Sequence, residues 1–288
     1  MKLALQRIYY PTLLALALTA FILFKDHFTP QTLPTLTYII GFSGVVLVFL
    51  SEILMPYRKE WNKNHGDFWT DLVFTNLILP SLSKLAEIIL GYFFVSHASD
   101  FVQQNVHTLW PSNWPLLIQL VLILLIAEFF FYWVHRFGHT IAFLWRFHSV
   151  HHSPIRVYWN NSGRFHPIDL LLNWIIYFAP LFILGCPHDV IAAFLVTNTI
   201  TGLLEHANVD FKAGWLNYLF NTAELHRWHH SINWNKANSN YGKVLCVWDI
   251  VFGTYYRPPN EEVGQVGIEN CKVPSDFFKS LLHPFQSE

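Results

Sequence analysis

Residues 115 to 139 read PLLIQLVLILLIAEFFFYWVHRFGH, an apolar run that ends in two histidines. The run from Pro115 to Val134 is about as long as a helix must be to cross the hydrocarbon core of a bilayer. His135 and His139 follow at its end, four residues apart, and would share one face if the helix continued. The stretch therefore predicts a membrane span that carries metal-ligand side chains to the membrane surface.

The composition of the whole chain also indicates a membrane protein. Of its 288 residues, 53% are hydrophobic and only 13% are charged, whereas soluble domains carry about 25% charged residues. Three further apolar runs have the length, or nearly the length, of a spanning helix: Tyr9 to Phe24, Thr35 to Met55 and Asp71 to Val95. We expect about four transmembrane helices, of which the first is marginal and is interpreted as an uncleaved anchor.

The distribution of Lys and Arg predicts how the spans are oriented, because these residues are enriched in short cytoplasmic loops. Lys2 and Arg7 precede the first run, and Arg58 and Lys59 follow the second, whereas residues 96–114 contain neither type. The fourth span would then end in the cytoplasm. We therefore expect the histidines after this span, and the active site, on the cytoplasmic face.

Two shorter apolar stretches, Asp169 to Gly185 and His188 to Leu204, are separated by the sequence GCPHD. Each is slightly short for a full crossing, so we expect a shallow hairpin that dips into the membrane and returns. The expected fold is all-α and polytopic, with a cytosolic helical cap. We predict a single membrane-embedded domain, 1–288, with an N-terminal anchor region at 1–114, a catalytic region at 115–258 and a C-terminal tail at 259–288.

Histidine is the most informative residue type in this sequence, with 16 copies. The segments HSVHH at 148–152 and HRWHH at 226–230 repeat the spacing H-x-x-H-H. Because residues three and four apart share a helical face, each cluster is predicted to aim its imidazoles at one point. The nine clustered histidines are His135, His139, His148, His151, His152, His206, His226, His229 and His230.

Nine imidazoles are more than one metal ion can use, since a tetrahedral or octahedral ion takes four to six ligands. The clusters therefore predict two metal ions. Imidazole binds iron, zinc, copper and nickel, so the ligand type alone does not identify the metal. A straight helix would leave His139 and His148 on opposite faces. We therefore expect a bend between Gly138 and Ala142.

Several function classes are disfavoured by the sequence. Cys186, Cys246 and Cys271 form no C-x-x-C pair, which argues against an iron–sulfur cluster or a Cys-type zinc module. A net charge of -1 provides no basic field for binding nucleic acid. Two alternatives to a redox enzyme stay open: a dizinc membrane hydrolase, with metal-bound hydroxide as the nucleophile, and, less favoured, a metal transporter.

The fourth span contains one carboxylate, Glu128, seven residues before His135 and therefore on the same helical face. Intramembrane carboxylates usually face the protein interior and have a partner. We predict that Glu128 accepts a hydrogen bond from a ligand imidazole and so orients it. Asp169, Glu205 and Asp249 are weaker candidates for the same task.

The order of the histidine clusters resembles that of a known family. The chain contains H-x3-H, H-x2-H-H, a single later His and H-x2-H-H, followed by NYGKVLCVWDIVFGT at 240–254. This order is similar to the fatty acid hydroxylase and sterol desaturase superfamily of integral-membrane di-iron oxygenases, over about Ile126 to Pro258. The resemblance implies a four-helix transmembrane platform whose cytosolic cap holds two iron ions, with the nine clustered histidines as ligands.

The resemblance also implies an O2-dependent hydroxylase or desaturase that acts on a C–H bond of a membrane lipid, such as a fatty acyl chain or a sterol. Some members have H-x3-H where this chain has His206 and Asp210, so Asp210, His166 or a water could be a tenth ligand. The sequence has no G-x-G-x-x-G fingerprint and no C-x-x-C-H haem motif. An external electron donor is therefore implied, of the cytochrome b5, ferredoxin or flavin reductase type.

Overall fold

The structure is a computed structural model that describes residues 2–97 and 109–286. The described residues form helices joined by loops, and paired extended residues occur among them only as isolated bridges. The all-α prediction is confirmed. Of the segment 96–114, which the distribution of Lys and Arg predicts to lie on the outer side, residues 98–108 lie outside the described residues.

Among the described residues, four helical segments are long and apolar enough to cross a membrane, which confirms the expected number. The first is longer than the marginal run predicted from the sequence, since it begins at Lys2. The third is interrupted by a π-helical turn at Phe74–Ile78. The segments are α1 (Lys2–Phe24), α2 (Leu33–Leu54), α3 with α4 (Phe68–Val73 and Leu79–His97) and α5 (Leu116–Thr140).

The predicted bend after the fourth span is confirmed. Helix α5 ends at Thr140, and Ile141 has an extended backbone with φ −103° and ψ 113°. The next helix, α6 (Ala142–His152), then runs in a new direction. Because the chain turns here, the imidazole of His148 returns toward the end of α5 instead of pointing away from it.

The two shorter apolar stretches form helices α7 (Pro167–Ile183) and α8 (His188–His206). Pro167 suits the first turn of α7, where its missing N–H has no intrahelical partner to lose. The turn between the helices uses Gly185 at φ 67°, a conformation that glycine adopts without a steric penalty. Helix α8 packs against α1, α2 and α5, and α7 packs against α4 and α5. Helix α8, which contacts three spanning helices and has most of its residues buried, therefore lies at the centre of the bundle.

The cap is built from short helices and loops after residue 206. Its loop 241–246 reaches the middle of α5, and the indole N–H of Trp248 donates to the carbonyl of Leu125 at 3.0 Å. The tail crosses the cap, where the amide of Gly267 donates to the carbonyl of His230 at 2.9 Å. The remaining α-helices in residues 2–97 and 109–286 are α9 (Ala223–His229), α10 (Trp234–Ala237), α11 (Val247–Val251) and α12 (Phe277–Leu282).

Candidate metal centre

The fold brings the nine clustered histidines together in two groups. Within each group, one nitrogen from every ring lies within 4.8 Å of the others, and all nine side chains are buried. The five-histidine group consists of His135, His139, His148, His152 and His229. The four-histidine group consists of His151, His206, His226 and His230.

The two groups are adjacent. The rings of His152 and His230, one from each group, are stacked with centroids 4.4 Å apart and planes 22° apart. The ring centroids of His151 and His152, also one from each group, are 5.3 Å apart. The nine imidazoles therefore form one continuous cluster with two centres.

The expectation that each H-x-x-H-H segment aims at one point was wrong. His148 and His152 belong to the five-histidine group, but His151 belongs to the other. The second segment is divided in the same way, since His229 separates from its neighbour His230. Consecutive residues on a helix point about 100° apart, whereas residues four apart share a face. Each segment therefore contributes histidines to both groups and fixes the position of one group relative to the other.

Hydrogen bonds fix which nitrogen of several rings carries the proton. Nδ1 of His135 lies 2.7 Å from the carbonyl oxygen of Tyr241, and Nδ1 of His229 lies 2.8 Å from that of Ser239. A carbonyl oxygen only accepts, so both Nδ1 atoms must donate. In the neutral ring, Nε2 is then an unprotonated lone pair. Nevertheless, the two Nε2 atoms lie only 3.0 Å apart.

This arrangement fits a bound metal ion. Two lone pairs at 3.0 Å cannot hydrogen-bond to each other, so a shared cation is needed to stabilise the contact. In the four-histidine group, Nδ1 of His206 lies 2.8 Å from Oδ1 of Asn161, and its Nε2 lies 2.9 Å from Nε2 of His226. Each group thus presents at least one unprotonated imidazole nitrogen to its own centre, as a transition metal requires.

Burial keeps the imidazoles outside the spanning helices in this neutral form. Burial lowers the pKa of His206 to about 3. Burial, followed by the neighbouring imidazoles, also holds the pKa of His151, His226 and His230 well below the usual value. Since the neutral imidazole is the form that binds a metal ion, these histidines are ready to ligate at neutral pH.

Two polar side chains that lie far from the histidines in the sequence contact imidazoles directly and orient them. Oδ2 of Asp169 lies 2.9 Å from Nδ1 of His148, so the weaker candidate Asp169 does contact a clustered histidine. Asn161 accepts from His206, 45 residues further along the chain. The sequence gives no local signal for the Asn161 contact, because only the packing of α8 against the loop at 159–161 creates it.

The prediction for Glu128 was wrong. Its carboxylate accepts hydrogen bonds from the Tyr177 hydroxyl and from the amides of Lys243, Val244 and Leu245, rather than from an imidazole. Seven residues along a helix correspond to about 10 Å, which places Glu128 too deep to reach the ring of His135. Glu128 instead satisfies backbone N–H groups of a loop at membrane depth, where no water is present to do so.

Asp249 and Glu205 also differ from the prediction. Asp249 accepts from the amides of Tyr241 and Gly242, both at 2.8 Å, so it holds the peptide whose carbonyl accepts from His135. Its effect on the imidazole is indirect. Glu205 is buried, and among the described residues its Oε1 has no hydrogen-bond partner. Glu205 therefore does not orient His206 directly.

Neither residue proposed as a tenth ligand joins a histidine group. Asp210 accepts from Nε2 of Gln6 at 2.6 Å and lies 3.6 Å from the Lys212 ammonium. His166 accepts from the Ile168 amide at the start of α7, and its Nε2 lies 3.1 Å from the Leu281 carbonyl oxygen. These contacts hold both side chains at other places in the fold.

A cavity of about 470 Å³ adjoins the five-histidine group. The rings of Trp145 and Trp234 line it and meet edge to face, with centroids 4.7 Å apart. His139 and His152 reach the cavity wall, whereas no member of the four-histidine group does so. The other lining residues are Thr140, Ala142, Ser231, Ile232, Ala237, Gly267, Ile268 and Glu269.

Comparison with known proteins finds the fatty acid hydroxylase family over residues 120–254. The chain is 39% identical to ornithine lipid hydroxylase OlsE of Rhizobium tropici over 86% of its own length and 75% of that protein. It is 30% identical to alkylglycerol monooxygenase of Danio rerio over 75% of its length but only 47% of that protein. It is 25% identical to methylsterol monooxygenase 2-2 of Arabidopsis thaliana, over 74% and 79% of the two chains. No solved structure matches.

Proposed function

We propose that this chain, which belongs to the fatty acid hydroxylase family, is a di-iron, O2-dependent hydroxylase of a membrane lipid. Its relatives are hydroxylases, monooxygenases and desaturases, so it is a membrane oxidoreductase that acts on lipid. The observation that carries the finer proposal is the pair of adjacent, buried, all-imidazole groups with unprotonated Nε2 atoms.

The nine histidines would hold the two iron ions, five at one position and four at the other. When bound, iron supplies the redox chemistry with O2 that breaks an unactivated C–H bond. The protein contributes fixed ligand orientation, because Tyr241, Ser239 and Asp169 each hold the Nδ1 of one imidazole. Preorganised ligands of this kind keep the affinity for metal high.

The overall reaction replaces one C–H bond of the lipid by C–O–H. It consumes one O2, two electrons and two protons, and it releases one water. The two electrons come from an external donor of the cytochrome b5, ferredoxin or flavin reductase type. Trp145 and Trp234 shield the approach to the five-histidine group, so that a lipid displaces water when it enters the cavity.

An amino-acid-containing lipid is the first substrate that we propose, because the chain covers three quarters of a relative named ornithine lipid hydroxylase. Alkylglycerols, sterols, sphingoid bases, fatty acyl chains and carotenoids are further candidates. Hydroxylation is favoured over desaturation, since relatives at 39% and 30% identity are named hydroxylase and monooxygenase. The centre lies on the cytoplasmic face in this proposal, where soluble electron donors can reach it.

The dizinc hydrolase and the metal transporter fit less well. Both histidine groups lack carboxylate members, although carboxylate is a common ligand and base in hydrolytic zinc sites. The imidazoles are also buried near the ends of α5 and α8 and within the cap, instead of lining a path along the spans. A fixed redox centre accounts for both features.

The test is lipid analysis in a bacterial host that makes ornithine lipid, grown with 18O2. We expect a lipid that carries one added 18O atom in cells with the wild-type chain. The His229→Ala variant should make none, while the Trp215→Ala variant, altered at an exposed side chain, should match the wild type. If the wild type adds no oxygen to ornithine lipid or to any other lipid class, the proposal fails.

A further inference from the structure

The two histidine groups differ in their access to the surroundings. The cavity of about 470 Å³ is lined by His139 and His152 of the five-histidine group. His151, His206, His226 and His230 lie outside its wall. A small molecule that enters this cavity therefore meets the five-histidine group and not the other.

The members of the five-histidine group also differ in how they are held. Nδ1 of His135, His148 and His229 each donates to a fixed acceptor. Nε2 of His152 lies 3.2 Å from Nε2 of His148, but this contact joins two nitrogens that would face the metal ion and does not anchor the ring. His139 is different, because both of its ring nitrogens are buried yet have no hydrogen-bond partner in the described part of the chain. Within residues 2–97 and 109–286, no side chain or backbone group sets the orientation of this ring by hydrogen bonding.

The aromatic rings around His139 contact its imidazole but form no hydrogen bond with it. Its centroid lies 5.2 Å from that of Trp145 and 5.9 Å from that of Trp234, with the second pair stacked at 25°. These two indoles also line the cavity. Turning the His139 ring toward the cavity would therefore break no hydrogen bond to the described part of the chain.

Partners that hold the second nitrogen of a ligand histidine are typically worth 10- to 100-fold in metal affinity. A ligand without such a partner is held less tightly than its neighbours. We propose that His139 is the displaceable ligand of the five-histidine group, and that its departure opens this group to small ligands in the cavity. This inference rests on the proposed function, since it presumes that the group holds a metal ion.

The test uses purified full-length protein loaded with Co2+, whose absorption spectrum reports its ligands. The His139→Ala variant is compared with His148→Ala, which removes an anchored ligand of the same group. We expect two cobalt ions per chain in the wild type and in His139→Ala, with a smaller loss of cobalt affinity in His139→Ala than in His148→Ala. His148→Ala should retain only one.

Added imidazole provides a second measurement on the same samples. It should bind to His139→Ala and shift the cobalt spectrum back toward that of the wild type. The His139→Gln variant, which keeps a side chain of similar length, guards against a folding defect and should also retain two ions. Loss of one ion from both His139 variants, or no spectral response to imidazole, would overturn the inference. Fewer than two ions in the wild type would instead contradict the proposed function.

Discussion

Oδ2 of Asp169 lies 2.9 Å from Nδ1 of His148, and both side chains are buried. The amide of Asn173 donates to Oδ1 of the same carboxylate at 2.8 Å, which fixes the carboxylate on α7. The contact joins the start of the hairpin to the histidines of α6. It therefore links the packing of the membrane helices to the orientation of one proposed ligand.

Replacing Asp169 by Asn should weaken metal binding at the five-histidine group by about 10-fold or more. The amide keeps the shape of the side chain but removes the charge that strengthens the imidazole as a ligand. Affinity is measured by competition with a chelator of known strength. Asp189→Asn, in the first turn of α8 and with a side chain 40% exposed, is the control. Equal affinities in the two variants would show that Asp169 serves only as part of the helix start.

Glu128→Gln should destabilise the loop at 243–245, because a side-chain amide cannot accept from all three backbone amides and the Tyr177 hydroxyl together. Each amide left without an acceptor costs about 1–3 kcal/mol. We expect a lower midpoint of thermal unfolding in detergent and new trypsin cleavage after Lys243. Glu87→Gln, at an exposed position of α4, should change neither. Continued protection of Lys243 in Glu128→Gln would refute this structural role.

The stability of the metal-free protein should fall as the pH is lowered from about 6.5 toward 3. An unfolded histidine has a pKa near 6.5, whereas burial lowers the pKa of His206 to about 3 in the folded chain. Within this window the unfolded state takes up a proton that the folded state does not. Each such group lowers the free energy of unfolding by about 1.4 kcal/mol for each pH unit of acidification within this window.

The measurement is the free energy of unfolding at several pH values in the presence of a chelator. His206→Gln should show a shallower dependence on pH, because it lacks one of the groups that titrate on unfolding. Identical slopes for this variant and the wild type would mean that His206 is not kept neutral by burial.

Trp234→Ala should change which lipids the protein oxidises. The indole lines the cavity and meets the ring of Trp145, so its removal widens the approach to His139. We expect bulkier lipids to be accepted and the distribution of oxidised positions to broaden, as measured by mass spectrometry of the products. Trp215→Ala, at an exposed position, is the matched control. An unchanged product distribution in Trp234→Ala would place the substrate elsewhere.

The spans and the candidate ligands could be predicted because both signals are local. Apolar length alone marks α5, and the spacing of His135 and His139 within a helix needs no knowledge of distant residues. The bend at Ile141 followed from the same reasoning, since a straight helix would have separated His139 from His148.

The division of the histidines and the role of Glu128 could not be predicted in this way. His151 could belong to the group of His148 or to that of His206. The packing of α8 decides between them, and the spacing of the histidines in the sequence does not predict that packing. The sequence predicts a hydrogen bond from an imidazole to Glu128, because it does not reveal that the loop at 243–245 reaches the middle of α5. Both outcomes depend on contacts between residues that lie far apart in the chain.

The most direct test of the account is the iron content of protein purified from iron-replete cells, in the wild type and in one variant of each histidine group. We predict about two iron ions per chain in the wild type, and about one in His229→Ala and in His206→Ala, because each variant damages a different group. Addition of reductant and lipid to the wild type should then consume O2. A wild type that binds one ion or none, even after reconstitution with iron, would contradict the two-iron centre.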